Sequence, residues 1–99
     1  MAVPKAHYLN VACCETKVLS GGTAVKSGAG VVHWISVSDT ADLAIELNDS
    51  TDNSGTDLWG IKFNADSIAH FEFKPAIYFA TGIYCDVSTT SCVITIGYA

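Results

Sequence analysis

Four cysteines, three histidines and a short acidic run are the side chains of this chain that have the reach to do chemistry. The cysteines fall at 13, 14, 85 and 92. A structural zinc site needs two close pairs of the C-x2-C kind, whose spacing lets both thiolates turn onto one ion, and that spacing is absent. Cys13 and Cys14 are adjacent, so in a strand they point to opposite faces and at most one of them lines a core. Cys85 and Cys92 bracket Asp86-Val-Ser-Thr-Thr-Ser91, a hairpin-like connection that brings two strands side by side. Buried free thiols are the favoured reading for a protein assembled in the cytosol, and a Cys85–Cys92 disulfide is the alternative after release into an oxidising medium.

His7, His33 and His70 stand on three separate strand-like runs, and a triad or metal cluster would need them on one face. No carboxylate is placed beside them by sequence to tune a ring, and no serine stands in a nucleophile-elbow pattern, so no catalytic residue is expected. Asp49, Asp52, Asn53 and Asp57 offer the hard oxygens that calcium prefers, but neither flanking helices nor a bidentate Glu accompany them. A solvated loop is the simpler reading, and no metal or cofactor is expected. Trp34, Trp59, Tyr78, Tyr84 and Tyr98 have faces that could stack on sugars, although aromatics at alternating strand positions more often fill a core or an interface.

The glycines point the same way. In Val25-Lys-Ser-Gly-Ala-Gly-Val-Val-His-Trp-Ile-Ser-Val-Ser-Asp39 a glycine-bearing turn opens directly into a β-branched and aromatic run. A phosphate cradle needs a helix N-terminus behind the glycines, so Gly28 and Gly30 read as turn residues that lead into a strand.

The elements that must position these groups are strands. Runs of strand composition cover about 6 to 19, 23 to 27, 30 to 38, 41 to 48, 58 to 64, 67 to 74, 76 to 87 and 91 to 98, and no helix of useful length competes. Leu43, Ile45 and Leu47 alternate before the polar run from Asn48 to Asp57, and Phe71 and Phe73 mark the inward face of a strand whose outward face carries His70 and Glu72. Pro75 should interrupt a pairing, Gly82 should mark a bulge or bend, and Val93–Ile96 should close the chain as a last strand. Seven to eight short strands predict an all-β, single-domain antiparallel sandwich of jelly-roll-like form, with a closed barrel as the alternative.

Ninety-nine residues suffice for one core and not for two. Ten acidic residues against five lysines, with no arginine, give a net charge of −5 that repels a phosphate backbone, so nucleic acid is not an expected partner. No apolar run is long enough to span a bilayer, and Pro4, Lys5, His7 and Asn10 stand where a signal peptide would be apolar, so membrane insertion is not expected and synthesis in the cytosol is. Low charge with positive mean hydropathy predicts a surface that assembles.

Four stretches in order, Val25-Lys-Ser-Gly-Ala-Gly-Val-Val-His33, Asp49-Ser-Thr-Asp-Asn-Ser-Gly-Thr56, Phe79-Ala-Thr-Gly-Ile83 and Val93-Ile-Thr-Ile-Gly-Tyr98, make the chain resemble the small all-β structural proteins of tailed bacteriophages, over about three quarters of its length. The resemblance implies a virion component, most often a sandwich that decorates or cements the capsid, with the major capsid protein as partner and a homo-oligomer, such as a trimer, as its form. The alternative is a tail- or fibre-associated module that binds a host-surface glycan. The chain departs from the pattern in its cysteines and in residues 1–22, which are expected as an N-terminal arm or exchanged strand ahead of a 23–99 body. The expected partner-binding residues are Tyr8, Leu9, Val11 and Trp59. Removing residues 1–20 should then weaken particle binding and leave the fold.

Overall fold

The computed structural model describes residues 14–38, 42–90 and 92–99. Among them run eight strands: β1 Glu15–Leu19, β2 Thr23–Ser27, β3 Gly30–Ser38, β4 Leu43–Asp49, β5 Thr56–Phe63, β6 Ala69–Phe79, β7 Gly82–Val87 and β8 Val93–Tyr98. They form two antiparallel four-stranded sheets, sheet 1 in the order β1-β8-β3-β6 and sheet 2 in the order β2-β7-β4-β5. The pairs β1·β8, β2·β7, β3·β6 and β4·β5 are the rungs of one long antiparallel ribbon whose tip is the loop after Asp49. Rolling that ribbon up adds the β3·β8 and β4·β7 pairings, and the result is a jelly roll.

Alternation along the strands builds the core. Leu19, Val32, Ile35, Val37, Phe79, Ile94 and Ile96 of sheet 1 face Val25, Leu43, Ile45, Leu47, Ile83 and Cys85 of sheet 2, all buried. The expected inward face of β6 is observed, because Phe71 and Phe73 pack half-buried against this core. Gly28 turns the chain from sheet 2 to sheet 1 with φ 99°, a region that side chains avoid. Gly30 opens β3 for a different reason, since a Cβ there would lie 2.6 Å from the carbonyl oxygen of Ala99.

Two elements differ from the expectation. Strict alternation would place Val32 and Trp34 on one face, but His33 is an extra residue of β3 against β8, where Val32 pairs Tyr98 and Trp34 pairs Gly97. This bulge buries Val32 and turns Trp34 outward. Pro75 does not end a strand: β6 runs through it, with Phe73 to Ala76 looping out opposite His33 between the Val32–Ile77 and Trp34–Glu72 pairs. A strand on the sheet edge has a free side on which a missing N–H costs nothing, so proline is tolerated there. The β6–β7 turn comes at Ala80 and Thr81, and Gly82 begins β7.

The expected arm straddles the described boundary. Its residues 1–13 lie outside the described residues, while Glu15–Leu19 is β1, laddered along β8 of the same chain with Leu19 in the core. The sandwich therefore takes in β1 as well as residues 23–99.

Candidate functional site

The outer face of sheet 1 carries the densest set of interacting polar side chains. The registers align Thr16, Gly97, Trp34 and Glu72 in one row across β1, β8, β3 and β6, and Val18, Thr95, Ser36 and His70 in the next. His33, the other described histidine, lies in the β3 bulge and outside this set. Ser36 Oγ lies 2.5 Å from His70 Nδ1, and His70 Nε2 lies 3.4 Å from Glu72 Oε2. With the ring proton on Nε2 directed at Glu72, Nδ1 accepts from the Ser36 hydroxyl, which gives the connectivity of a general-base relay with the two ring nitrogens exchanged. Lys74 Nζ, 3.4 Å from Glu72 Oε1, closes the chain of charges. The hydrogen bond and charge of Lys74, with smaller help from His70, hold the Glu72 carboxyl below its ordinary range.

The relay can polarise a hydroxyl, but β3 is paired on both edges, so the N–H groups around Ser36 are spent in its ladders and do not converge as an oxyanion hole. No cavity opens among the described residues. What the face offers is a flat recognition surface. The Trp34 indole lies over Gly97, so close that a Cβ at 97 would overlap its ring, and its centroid is 5.7 Å from that of His70. Around it stand the Thr16, Thr95, Ser36 and Ser38 hydroxyls and the exposed Val18 (67%) and Val93 (39%). The sequence did carry a signal for the relay: His70 and Glu72, two residues apart on a strand, necessarily share a face. Ser36 comes from 34 residues earlier and needed the register.

The outer face of sheet 2 is acidic. Asp57 on β5, Asn48 and Glu46 on β4 and Asp86 on β7 meet through the pairs Asn48–Asp57 and Glu46–Asp86. Glu46 shares a hydrogen bond with Asp57, and this bond, the Asp57 charge, burial and Asp86 together raise the Glu46 carboxyl above its ordinary value. The loop acids are used differently. Asp49 accepts from the N–H of Thr81 at 2.7 Å and of Gly82 at 3.4 Å, and Asp52 accepts from the Ser54 N–H and hydroxyl and the Ser50 hydroxyl. These bonds lower both carboxyls and tie the β4–β5 loop to the β6–β7 turn. Among the described residues no three His, Cys, Asp or Glu converge as a metal cluster.

Trp59, expected at a partner surface, is half-buried in an aromatic seam with ring centroids 5.4 Å from both Phe71 and Phe73. The seam closes the side of the sandwich between the edge strands β5 and β6. Tyr8, Leu9 and Val11 lie outside the described residues. The candidate bridge is not formed: Cys85 and Cys92 are buried thiols, and burial, followed by the nearby Cys92 and Asp86, pushes Cys85 up to about 12. Burial keeps such a thiol protonated and so slows its disulfide exchange.

No protein-family model, curated protein or solved structure matches this chain.

Proposed function

We propose that this chain is a structural component of a virus particle, a jelly-roll module that decorates a tailed-phage head and stabilises it by bridging capsid subunits. The resemblance of its four glycine-bearing stretches to such proteins motivates the reading, and the jelly roll suits it, since viral capsid domains use that architecture. The observation that carries it is the contrast between the two outer faces. On β1, β8 and β3 the outward residues Thr16, Val18, Val93, Thr95, Gly97, Trp34, Ser36 and Ser38 include no charge, and the charged Glu72 and Lys74 of that sheet stand on its edge strand β6, whereas sheet 2 turns Glu46, Asp57 and Asp86 outward with Lys62 beside them. An uncharged face with exposed valines loses little on desolvation and gains from contact, and an acidic face is best left in water.

These three strands, about 4.8 Å apart and some seven residues long, present roughly 340 Å² of plan area. A stable interface takes about 800 Å² from each partner, so this face needs a second contact, either from a neighbouring copy or from residues 1–13. Repetition over a symmetric shell then adds the contacts together.

The test is co-sedimentation of the purified chain with undecorated heads. Binding is expected, and Val18→Asp should weaken it about tenfold or more while leaving the fold intact by circular dichroism. Failure to pellet with both bare heads and expanded procapsids overturns the reading.

A second reading rests on Trp34. A half-buried indole plane flanked by hydroxyls, a histidine and a carboxylate matches the apolar face and polar rim of a sugar ring, and lectin domains also use the jelly roll. In that case the chain is a tail- or fibre-associated module that binds a host-surface glycan. Glycan-array binding lost in Trp34→Ala supports it over attachment to the head.

A further inference from the structure

The side of the sandwich between β5 and β6 is covered less well than the rest. Trp59, Ile61 and Phe63 on β5 and Phe71 and Phe73 on β6 face the core yet are only half-buried, whereas Ile35, Ile45 and Ile96 on central strands are wholly buried. Their rings touch, with Phe63 also 6.4 Å from Phe71, but no backbone ladder joins β5 to β6, because each is the outer strand of its own sheet. An outer strand holds out a row of N–H and C=O groups that another strand can pair with. Among the described residues four strands lie at sheet edges, and three of them are guarded. β1 and β2 are only five residues long, β2 bulges at Val25, and β6 carries Lys74, Pro75 and the segment that loops out opposite His33. β5 has eight residues and no proline, and beyond its bulge at Leu58 the run Trp59–Phe63 pairs β4 residue for residue.

That run is its own complement. We propose that the chain forms a twofold dimer with a second copy through the free edge of β5, antiparallel and centred on Ile61, which joins the two copies of sheet 2 into one eight-stranded sheet. In this register Trp59 pairs with Phe63 of the second copy and Ile61 with its counterpart, so the half-buried inward residues meet in one apolar row with an aromatic pair at each end. On the outward side Gly60 pairs with Lys62 of the second copy, and there the charges match. Glu46 stands opposite Gly60 on β4, and a Cβ at 60 would lie 3.5 Å from Glu46 Cγ, so the Glu46 side chain leans across the glycine toward the free edge. Within one chain it is faced by Asp57, Asp86 and Lys62, two acids to one base. Lys62 of the second copy evens that count at each end of the pairing. An eight-residue strand runs about 26 Å, and the smallest extent of the molecule is 20 Å. Each copy therefore offers roughly 500 Å² of plan area, or about 1,000 Å² for the pair, which is where specific interfaces begin and which implies a dimer that depends on concentration. A twofold between antiparallel strands of one sheet stands perpendicular to it, so both acidic faces point one way and both uncharged faces of sheet 1 the other. The dimer thus doubles, on one side, the surface assigned to attachment, although the pairing itself does not rest on that reading.

The test uses the full chain without heads or glycans, so its outcome is independent of what the chain attaches to. Sedimentation equilibrium from about 1 μM to 1 mM should show the mass rising from one chain toward two, that is from 10.4 kDa toward twice that value. Lys62→Glu and Glu46→Lys each set like charges against each other at both ends of the pairing, and each should weaken the dimer about tenfold or more. Both side chains lie on the outward face, and circular dichroism of each variant checks that it is folded. An equimolar mixture of the two should recover the dimer, because every contact between positions 46 and 62 in the mixed pair then joins opposite charges. A wild type that keeps the mass of one chain throughout, or that settles at three, overturns the pairing. So does a folded Lys62→Glu protein that associates as tightly as the wild type, or a mixture of the two folded variants that stays as weak as either alone.

Discussion

Two acidic residues three positions apart on one strand have opposite effects on stability. Glu46 faces Asp57 and Asp86, which raise its carboxyl above the ordinary 4.5. A raised acid prefers to be protonated in the folded chain, so the stability it contributes is present below 4.5 and is lost as pH climbs through the raised value. Asp49 is lowered from 3.8 by the N–H groups of Thr81, Ala80 and Gly82, so its contribution is present above 3.8 and is lost as pH falls through the lowered value. Glu46→Gln should therefore raise Tm near neutral pH and make little difference once Glu46 is protonated. Asp49→Asn should lower Tm near neutral pH, with the gap closing in strong acid. Unfolding scans of both variants from about pH 3 to pH 8 read the two signs directly, and a Glu46→Gln protein no more stable than the wild type near neutral pH would remove the repulsion argument.

Between elements, the decisive contact is the Trp34 indole lying across β8. It needs a position without a side chain, and Gly97 supplies it. Gly97→Ala should drive the ring off the strand at a cost of about 1 to 3 kcal/mol, read as a lower urea midpoint with unchanged m-value and a change in tryptophan emission. An unchanged midpoint would mean that Trp34 is not held there. The sequence could not show this contact. Periodicity revealed eight strands and the inward face of β6, because alternation of Phe71 and Phe73 with charged neighbours is local. It could not reveal that His33 bulges, since a bulge depends on the partner strands; without it, Trp34 reads as a core residue beside Val32. Pro75 misled for the same reason: it breaks a strand flanked on both sides, and nothing local says that β6 lies on an edge. The relay was half legible, in the His70 and Glu72 spacing, and the contact between Asn48 and Asp57 needed the register across the β4–β5 loop.

At the scale of the whole molecule, the ribbon topology decides where the body begins. β1 pairs only with β8, but it covers that strand's open edge and contributes Leu19 to the core. A truncation through residue 20 therefore removes a strand and a buried leucine, which costs about 2 to 5 kcal/mol for the side chain alone, and any loss of particle binding would reflect a damaged sandwich. A truncation through residue 13 removes no described strand. If the first residues supply the contact area that the outer face of sheet 1 lacks, the shorter truncation should keep the wild-type Tm and lose most head binding, and the longer one should lose Tm as well. Tm and occupancy on heads, measured for both truncations, separate the two roles. Undiminished occupancy after the shorter truncation would assign the missing contact to a neighbouring copy of the chain, and binding would then rise cooperatively with its concentration.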